Sequence, residues 1–295
     1  MSLRKIMACA MILAGALFVA CSSSGNGGND TIGTDTPADA VASGFIGQLV
    51  DFASKTGRKG VDIVVLNNDT GLELDIVKYP PLKSGDEGVF ELALPPGMKV
   101  GFKTSGTEVV TTGIAMQFQT SYMFNIPSDA QGKRIYAVNK VTYMTAPATA
   151  GLVVDKTKGI LAGTVYWKNA TAGTEDFVGC ALVKAIPVDG TEAVGDVRYF
   201  DPKYDLPGPL GKAPFTTNGK AGTSRYIIAN LPVGKYKMVV TIDGVQVNPG
   251  DEEVELFAYA DSIAISNIYV TDQTDAIINP TPARTECTVD KVDQG

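Results

Sequence analysis

Four thiols are the most reactive side chains in this sequence: Cys9, Cys21, Cys180 and Cys287. Histidine is absent. Without imidazole there is no Ser–His or Cys–His nucleophile pair, no histidine zinc ligand and no histidine general base. Carboxylates alone would need a positioned acid and base, and the sequence singles out no such pair. The acid-bearing turns Asp86-Glu87-Gly88 and Asp251-Glu252-Glu253 offer oxygen ligands to calcium. Neither has EF-hand spacing, so both read as solvated acids. The sequence therefore predicts no catalytic residue, no metal site and no cofactor.

Aromatic rings are the other candidates, for binding rather than catalysis. Tyr199-Phe200-Asp201-Pro202-Lys203-Tyr204, followed by Leu206-Pro207-Gly208-Pro209, reads as a loop with clustered rings. Rings on a loop can stack on sugars or anchor a protein partner. They can equally pack over an open end of a sandwich. Tyr166-Trp167 lies on an alternating strand, which turns one ring to the core and the other to the surface.

The N-terminus places these residues in a compartment. Arg4 and Lys5 precede Ile6–Ala20, an apolar run of 15 residues. That is shorter than the roughly 20 residues of a membrane span and fits a signal peptide. The run ends Leu17-Phe18-Val19-Ala20-Cys21, which resembles the lipobox of bacterial lipoproteins, with Phe18 where that family usually has leucine. The resemblance implies loss of residues 1–20, a lipid on Cys21 and a membrane association through that lipid. Ser22 after the cysteine implies the outer membrane. The Ser/Gly/Asp/Thr-rich stretch at 21–43 then reads as a disordered tether. Cys9 leaves with the leader and Cys21 is acylated. Cys180 and Cys287 are left to form a disulfide in an oxidising compartment, or to stay as a buried and a free thiol. A bridge would fasten the tail at 273–295 to the body and contribute up to about 4 kcal/mol.

The body must position all of this with strands. The chain has 32 glycines and 16 prolines, only 19% of it is charged, and no long stretch shows helical periodicity. That is the composition of short strands and tight turns. In Tyr236-Lys237-Met238-Val239-Val240-Thr241-Ile242 the period is two, with Lys237 and Thr241 on one face. Asp243-Gly244 follows as a hairpin signal. The chain also matches itself. Phe45-Ile46-Gly47-Gln48-Leu49 aligns with Leu161-Ala162-Gly163-Thr164-Val165, and Leu94-Pro95-Pro96-Gly97 with Leu231-Pro232-Val233-Gly234. The first glycines are 116 apart and the Pro-x-Gly glycines 137 apart, so copy two carries 21 extra residues, mostly within 198–215.

The pattern Gly-x-Val, loop, Gly-x-x-Val, aromatic strand and Leu-Pro-x-Gly-x-Tyr resembles the carboxypeptidase regulatory-like domain. Copy two carries it through Gly163, Val165, Ala181, Val183, Leu231, Pro232, Gly234 and Tyr236, whereas copy one has Lys99 at the tyrosine position. The resemblance implies an all-β chain of two tandem transthyretin-like or Ig-like antiparallel β-sandwiches at 44–145 and 159–272, joined at 146–158 by a hinge or a packed joint. It implies a fold without a catalytic residue, used for spacing, adhesion or glycan contact. The expected function is a non-catalytic envelope scaffold or adhesion protein. Its rival is a glycan-binding lipoprotein using Tyr199, Phe200, Tyr204 and Trp167. Partners are an envelope protein or a polysaccharide. Nucleic acid is a poor one, because loss of Arg4 and Lys5 takes the net charge from −7 to −9. Lys168 and Asn267, on a first and a last strand, resemble the Lys–Asn crosslink of Gram-positive adhesin sandwiches, without an identifiable catalytic acid.

The cysteine assignments are tested together. Cys21→Ala is expected to move the protein from the detergent phase to the aqueous phase on Triton X-114 partition. Alkylation of the denatured, unreduced wild type is expected to label no thiol; two labelled thiols would remove the Cys180–Cys287 bridge.

Overall fold

The computed structural model describes residues 43–74, 82–109, 113, 115–168, 175–178, 181–201, 206–207, 225–242, 245–247 and 254–271. The first copy contributes β1 (Ser43–Asp51), β2 (Asp62–Asn67), β3 (Leu82–Lys83), β4 (Val89–Leu94), β5 (Lys99–Val109), β6 (Ala115–Pro127) and β7 (Gln131–Asn139). A helix, α1 (Lys140–Thr149), leads to the second copy. That copy contributes β8 (Gly159–Lys168), β9 (Glu175–Phe177), β10 (Ala181–Pro187), β11 (Asp196–Asp201), β12 (Leu206–Pro207) and β13 (Arg225–Leu231). It closes with β14 (Gly234–Ile242), β15 (Val245–Val247), β16 (Glu255–Ala258), β17 (Ser262–Ile265) and β18 (Ile268–Thr271). The chain is all-β, as its turn-rich composition implies.

The two copies share one topology. The first strand of each pairs antiparallel with the Leu-Pro strand, β1 with β4 and β8 with β13. It pairs parallel with the last strand, β1 with β7 and β8 with β18. Opposite these sheets, β2 pairs with β5 and β10 with β14. On β14 the predicted alternation holds: Tyr236, Met238, Val240 and Ile242 are buried, and Lys237, Val239 and Thr241 are less so. Beside the antiparallel ladders, these parallel pairs bring the ends of each copy side by side.

The opening glycines now have a reason. Gly47 faces Phe90 across the ladder and Gly163 faces Tyr226. A Cβ on Gly47 would stand 2.4 Å from the Phe90 ring, and one on Gly163 would stand 1.7 Å from the Ser266 carbonyl oxygen. The ladder also refines the self-alignment. Phe45 pairs with Leu92 and its counterpart Leu161 with Ile228, yet Leu94 corresponds to Leu231. Copy two therefore holds one extra residue here. It is accommodated as a register shift between Ile228 and Leu231, with Asn230 at φ 60°.

The two copies are not beads on a linker. β17 pairs parallel with β8 through Ser262–Ile265 and parallel with β6 through Ile263 and Ala264. One sheet therefore runs from β12 through β8, β17 and β6 to β3. Each hydrophobic core borrows from the other copy. Ile160, Ala162, Ile227 and Ala229 pack with Phe45, Phe102 and Ile135. Leu66, Tyr122 and Phe124 pack with Tyr236, Met238 and Val240. Within the stretch 146–158, Pro147, Ala150 and Leu152 are buried. Asn139 caps α1 by accepting from the Thr142 amide at 2.8 Å, Tyr143 and Pro147 are buried, and Leu152 joins the core.

Overpacking at the two glycines is expected to cost unequally. Gly163→Ala pushes on backbone and should lose about 2–3 kcal/mol in urea unfolding, whereas Gly47→Ala pushes on a side chain that can tilt and should lose less. Equal losses would show that the Ser266 contact does not constrain the sheet.

Candidate functional site

The described residues contain three polar nodes, and each is already committed to structure. Asp51 is a buried carboxylate at the end of β1. Its Oδ1 accepts from the Ala53 amide (3.0 Å), the Ser54 amide (2.8 Å) and the Ser54 hydroxyl (3.0 Å). Its Oδ2 accepts from Asn139 Nδ2 at 2.9 Å. A carboxylate so fully engaged pins a turn to the helix cap and is unsuited to act as a base. Arg58 pairs with Glu108 at 3.3 Å, tying the following loop to β5.

The second node is the motif tyrosine of copy two. Tyr236 is buried and donates its hydroxyl to the Pro232 carbonyl at 2.6 Å, closing the Leu-Pro-x-Gly turn. Copy one has Lys99 at the equivalent position. The third node spans the seam between the copies. Tyr122 stacks on Tyr259 with centroids 4.3 Å apart, and Phe124 meets Phe257 at 5.5 Å. The Tyr259 hydroxyl donates to the Gly71 carbonyl at 2.6 Å. Asn125 accepts from Asn68 Nδ2 (3.1 Å) and donates to the Glu255 carbonyl (2.8 Å). Burial, with the Tyr122 phenol beside it, pushes Tyr259 up to about 12.

The aromatic candidates separate. Tyr199 and Phe200 lie on β11, a strand, and are 3% and 8% exposed. The expectation that they form a loop is corrected. Tyr199 belongs to the core of copy two, where its hydroxyl accepts the Val183 amide at 2.8 Å, and Phe200 belongs to the core of copy one. Rings so enclosed have no face to offer a sugar. Tyr204 lies outside the described residues. Trp167 is placed on β8 opposite Val270 and Asp176. Cys21, Cys180, Cys287 and the turn at 251–253 also lie outside the described residues.

The turn acid Asp86 contacts Lys59, whose ammonium holds the carboxyl below the usual carboxylate range. Lys168 and Asn267 do not meet. Lys168 is exposed and pairs with Thr271, while the Asn267 side-chain oxygen accepts from the Thr164 amide at 3.2 Å. Four residues of strand, roughly 13 Å, separate their positions, so the crosslink expectation is withdrawn. Among the described residues no three of His, Cys, Asp or Glu gather as a metal site, and no helix is long and apolar enough to cross a membrane.

No protein-family description matches the chain, and no curated protein does. Several solved structures are distantly similar. The TIE protein of Bacillus anthracis is 16% identical with a TM-score of 0.22, over 78% of this chain and 34% of its own. A minor pilin of Streptococcus agalactiae is 12% identical with a TM-score of 0.26, over 83% of this chain and 100% of its own. The shaft pilin SpaA of Lactobacillus rhamnosus GG is 13% identical with a TM-score of 0.22, over 78% and 97%. The chain thus spans about a third of the Bacillus anthracis protein. Likenesses this distant assign neither an activity nor a partner.

Tyr199→Phe is expected to destabilise by about 1–3 kcal/mol in urea, because the Val183 amide loses its acceptor inside the core. A neutral outcome would show that the hydroxyl is not needed there.

Proposed function

We propose that the chain is a non-catalytic, lipid-anchored protein of the bacterial envelope that serves as a rigid adhesion or scaffold body. The observation that carries this reading is the seam. Two sandwich copies share a sheet and exchange core residues, a build suited to holding surfaces at a fixed distance and orientation. Flexible catalytic loops around an assembled cleft would be a different design. The lack of histidine and the full engagement of Asp51 support the non-catalytic part.

The placement rests on sequence. The apolar leader, Cys21 and the polar stretch to residue 43 support lipidation and a tether. Ser22 supports the outer membrane. A disulfide between Cys180 and Cys287 would fasten the C-terminal tail. A polysaccharide and an envelope protein are both partners in keeping with this placement, and their burial argues against Tyr199 and Phe200 themselves as the glycan contact.

On intact cells, protease added from outside is expected to cleave the body, read with an antibody against 159–271. Protection until the outer membrane is opened would contradict outward display and leave a periplasmic scaffold.

A further inference from the structure

One sheet edge is covered in copy two and open in copy one. In copy two the Leu-Pro strand β13 lies between β8 and β11, where Asp196, Val197, Arg198 and Tyr199 pair antiparallel with Ala229, Ile228, Ile227 and Tyr226. Its counterpart β4 pairs with β1 alone among the described strands. The connections make the difference. Residues 188–224 supply β11 and β12, whereas the shorter stretch 68–88 supplies β3, which joins β2 instead.

Successive residues of a strand turn their amides and carbonyls to opposite sides, which assigns the groups on that edge. On β1 the Ile46 amide donates to the Ala130 carbonyl on the β7 side (3.2 Å), and the Leu49 carbonyl accepts from the Arg58 amide on the other (3.0 Å). Phe45 and Gly47 therefore bond Leu92 and Phe90, their partners in the ladder. Val89, Glu91 and Ala93 are left facing outward. Val89 is satisfied, because its amide donates to the Asp86 carbonyl and its carbonyl accepts from the Gly85 amide at 2.9 Å. Glu91 and Ala93 are exposed, and no described residue meets their outward backbone groups. The equivalent residues of copy two, Ile227 and Ala229, face Arg198 and Asp196 of β11.

An unpaired edge is a template for another strand. β4 complements itself in one antiparallel register, centred on Leu92. There Glu91 stands opposite the partner's Ala93, Ala93 opposite the partner's Glu91, and Leu92 opposite the partner's Leu92. The two outward pairs exchange four N–H···O bonds. Leu92, half-buried against the core, gains an apolar neighbour on its own face, and Glu91, the one charge on the strand, meets a methyl group. Neighbouring registers are worse. Centring on Glu91 sets two carboxylates against each other, and centring on Ala93 sets Glu91 against the partner's Pro95, which has no N–H.

We propose that two molecules of this chain form a homodimer by pairing their β4 edges around a two-fold axis at Leu92. Pairing uses up the edge on both molecules, so the assembly closes at two. The inference goes beyond the envelope reading and does not depend on it, although a shared membrane would favour the pair. The two Ser43 positions would lie roughly 20 Å apart, three strand spacings across and four residues along. Residues 22–42 can extend to roughly 70 Å, so both lipid anchors would reach one membrane.

The test is sedimentation equilibrium of residues 22–295 with reductant present, so that no disulfide joins two molecules. A monomer–dimer equilibrium is expected, with the dimer prominent at about 0.1 mM. Ala93→Pro removes an outward N–H without touching the bonds to β1 and is expected to weaken the dimer at least about tenfold. Ala93→Lys sets an ammonium opposite the partner's Glu91 and is expected to tighten the dimer about threefold at low salt. Ala93→Glu is expected to loosen it by about the same factor. Should the proline variant misfold, the opposite signs of the lysine and glutamate changes still decide the register. A monomer at about 0.1 mM, a dimer indifferent to position 93, or growth beyond the dimer would overturn the pairing. Periplasmic display would change the proposed function and leave this inference standing, whereas outward display of a monomer would do the reverse.

Discussion

A four-residue strand accepting partners on both sides sets the architecture. Ser262–Ile265 lies parallel to β8 of its own copy and to β6 of the other, and all four residues are buried. Its hydrogen bonds turn two sheets into one, and the packing on either side follows from that. Once β6 and β8 are held a strand apart, the outer face of each copy must be covered. Tyr122 and Phe124 fill the core of the second copy, and Ile160, Ala162 and Ile227 that of the first. The turn before β17 is braced from α1 and β6, where Tyr143 donates to Asp261 Oδ1 at 3.3 Å and Gln119 donates to the Asp261 carbonyl. Removing β17 would expose apolar surface on both copies, so neither is expected to behave as a free domain.

Rigidity is the property this construction supplies. Two aromatics use positions that the shared topology repeats: Tyr136 on β7 pairs with Val50, as Tyr269 on β18 pairs with Tyr166. A duplicated module has thus placed an aromatic at the same point of each last strand. The polar groups deeper inside take no part in this, since Asp51, Tyr199 and Tyr236 all have their partners within the protein.

Much of each copy was legible in the sequence, because its signals are local. Gly47 and Gly163 mark a close approach to an aromatic, Leu94 and Leu231 end buried strands before proline, and β14 alternates with period two. The seam was not legible. β17 is short and buried on both faces, so it shows no alternation and reads as an apolar fragment. The helix α1 was hidden by Val141, Thr142 and Pro147, residues that speak against a helix, although Asn139 is a fair capping signal. Tyr199 and Phe200 were read as loop residues because prolines and glycines follow them. Their placement is decided by Val183 and the two cores, contacts distant in sequence.

Calorimetric unfolding of residues 22–295 most directly tests whether the two copies form one body. A shared sheet and exchanged cores predict a single transition whose van't Hoff and calorimetric enthalpies agree. Two separable transitions, each accounting for about half the enthalpy, would contradict the seam and with it the single rigid body.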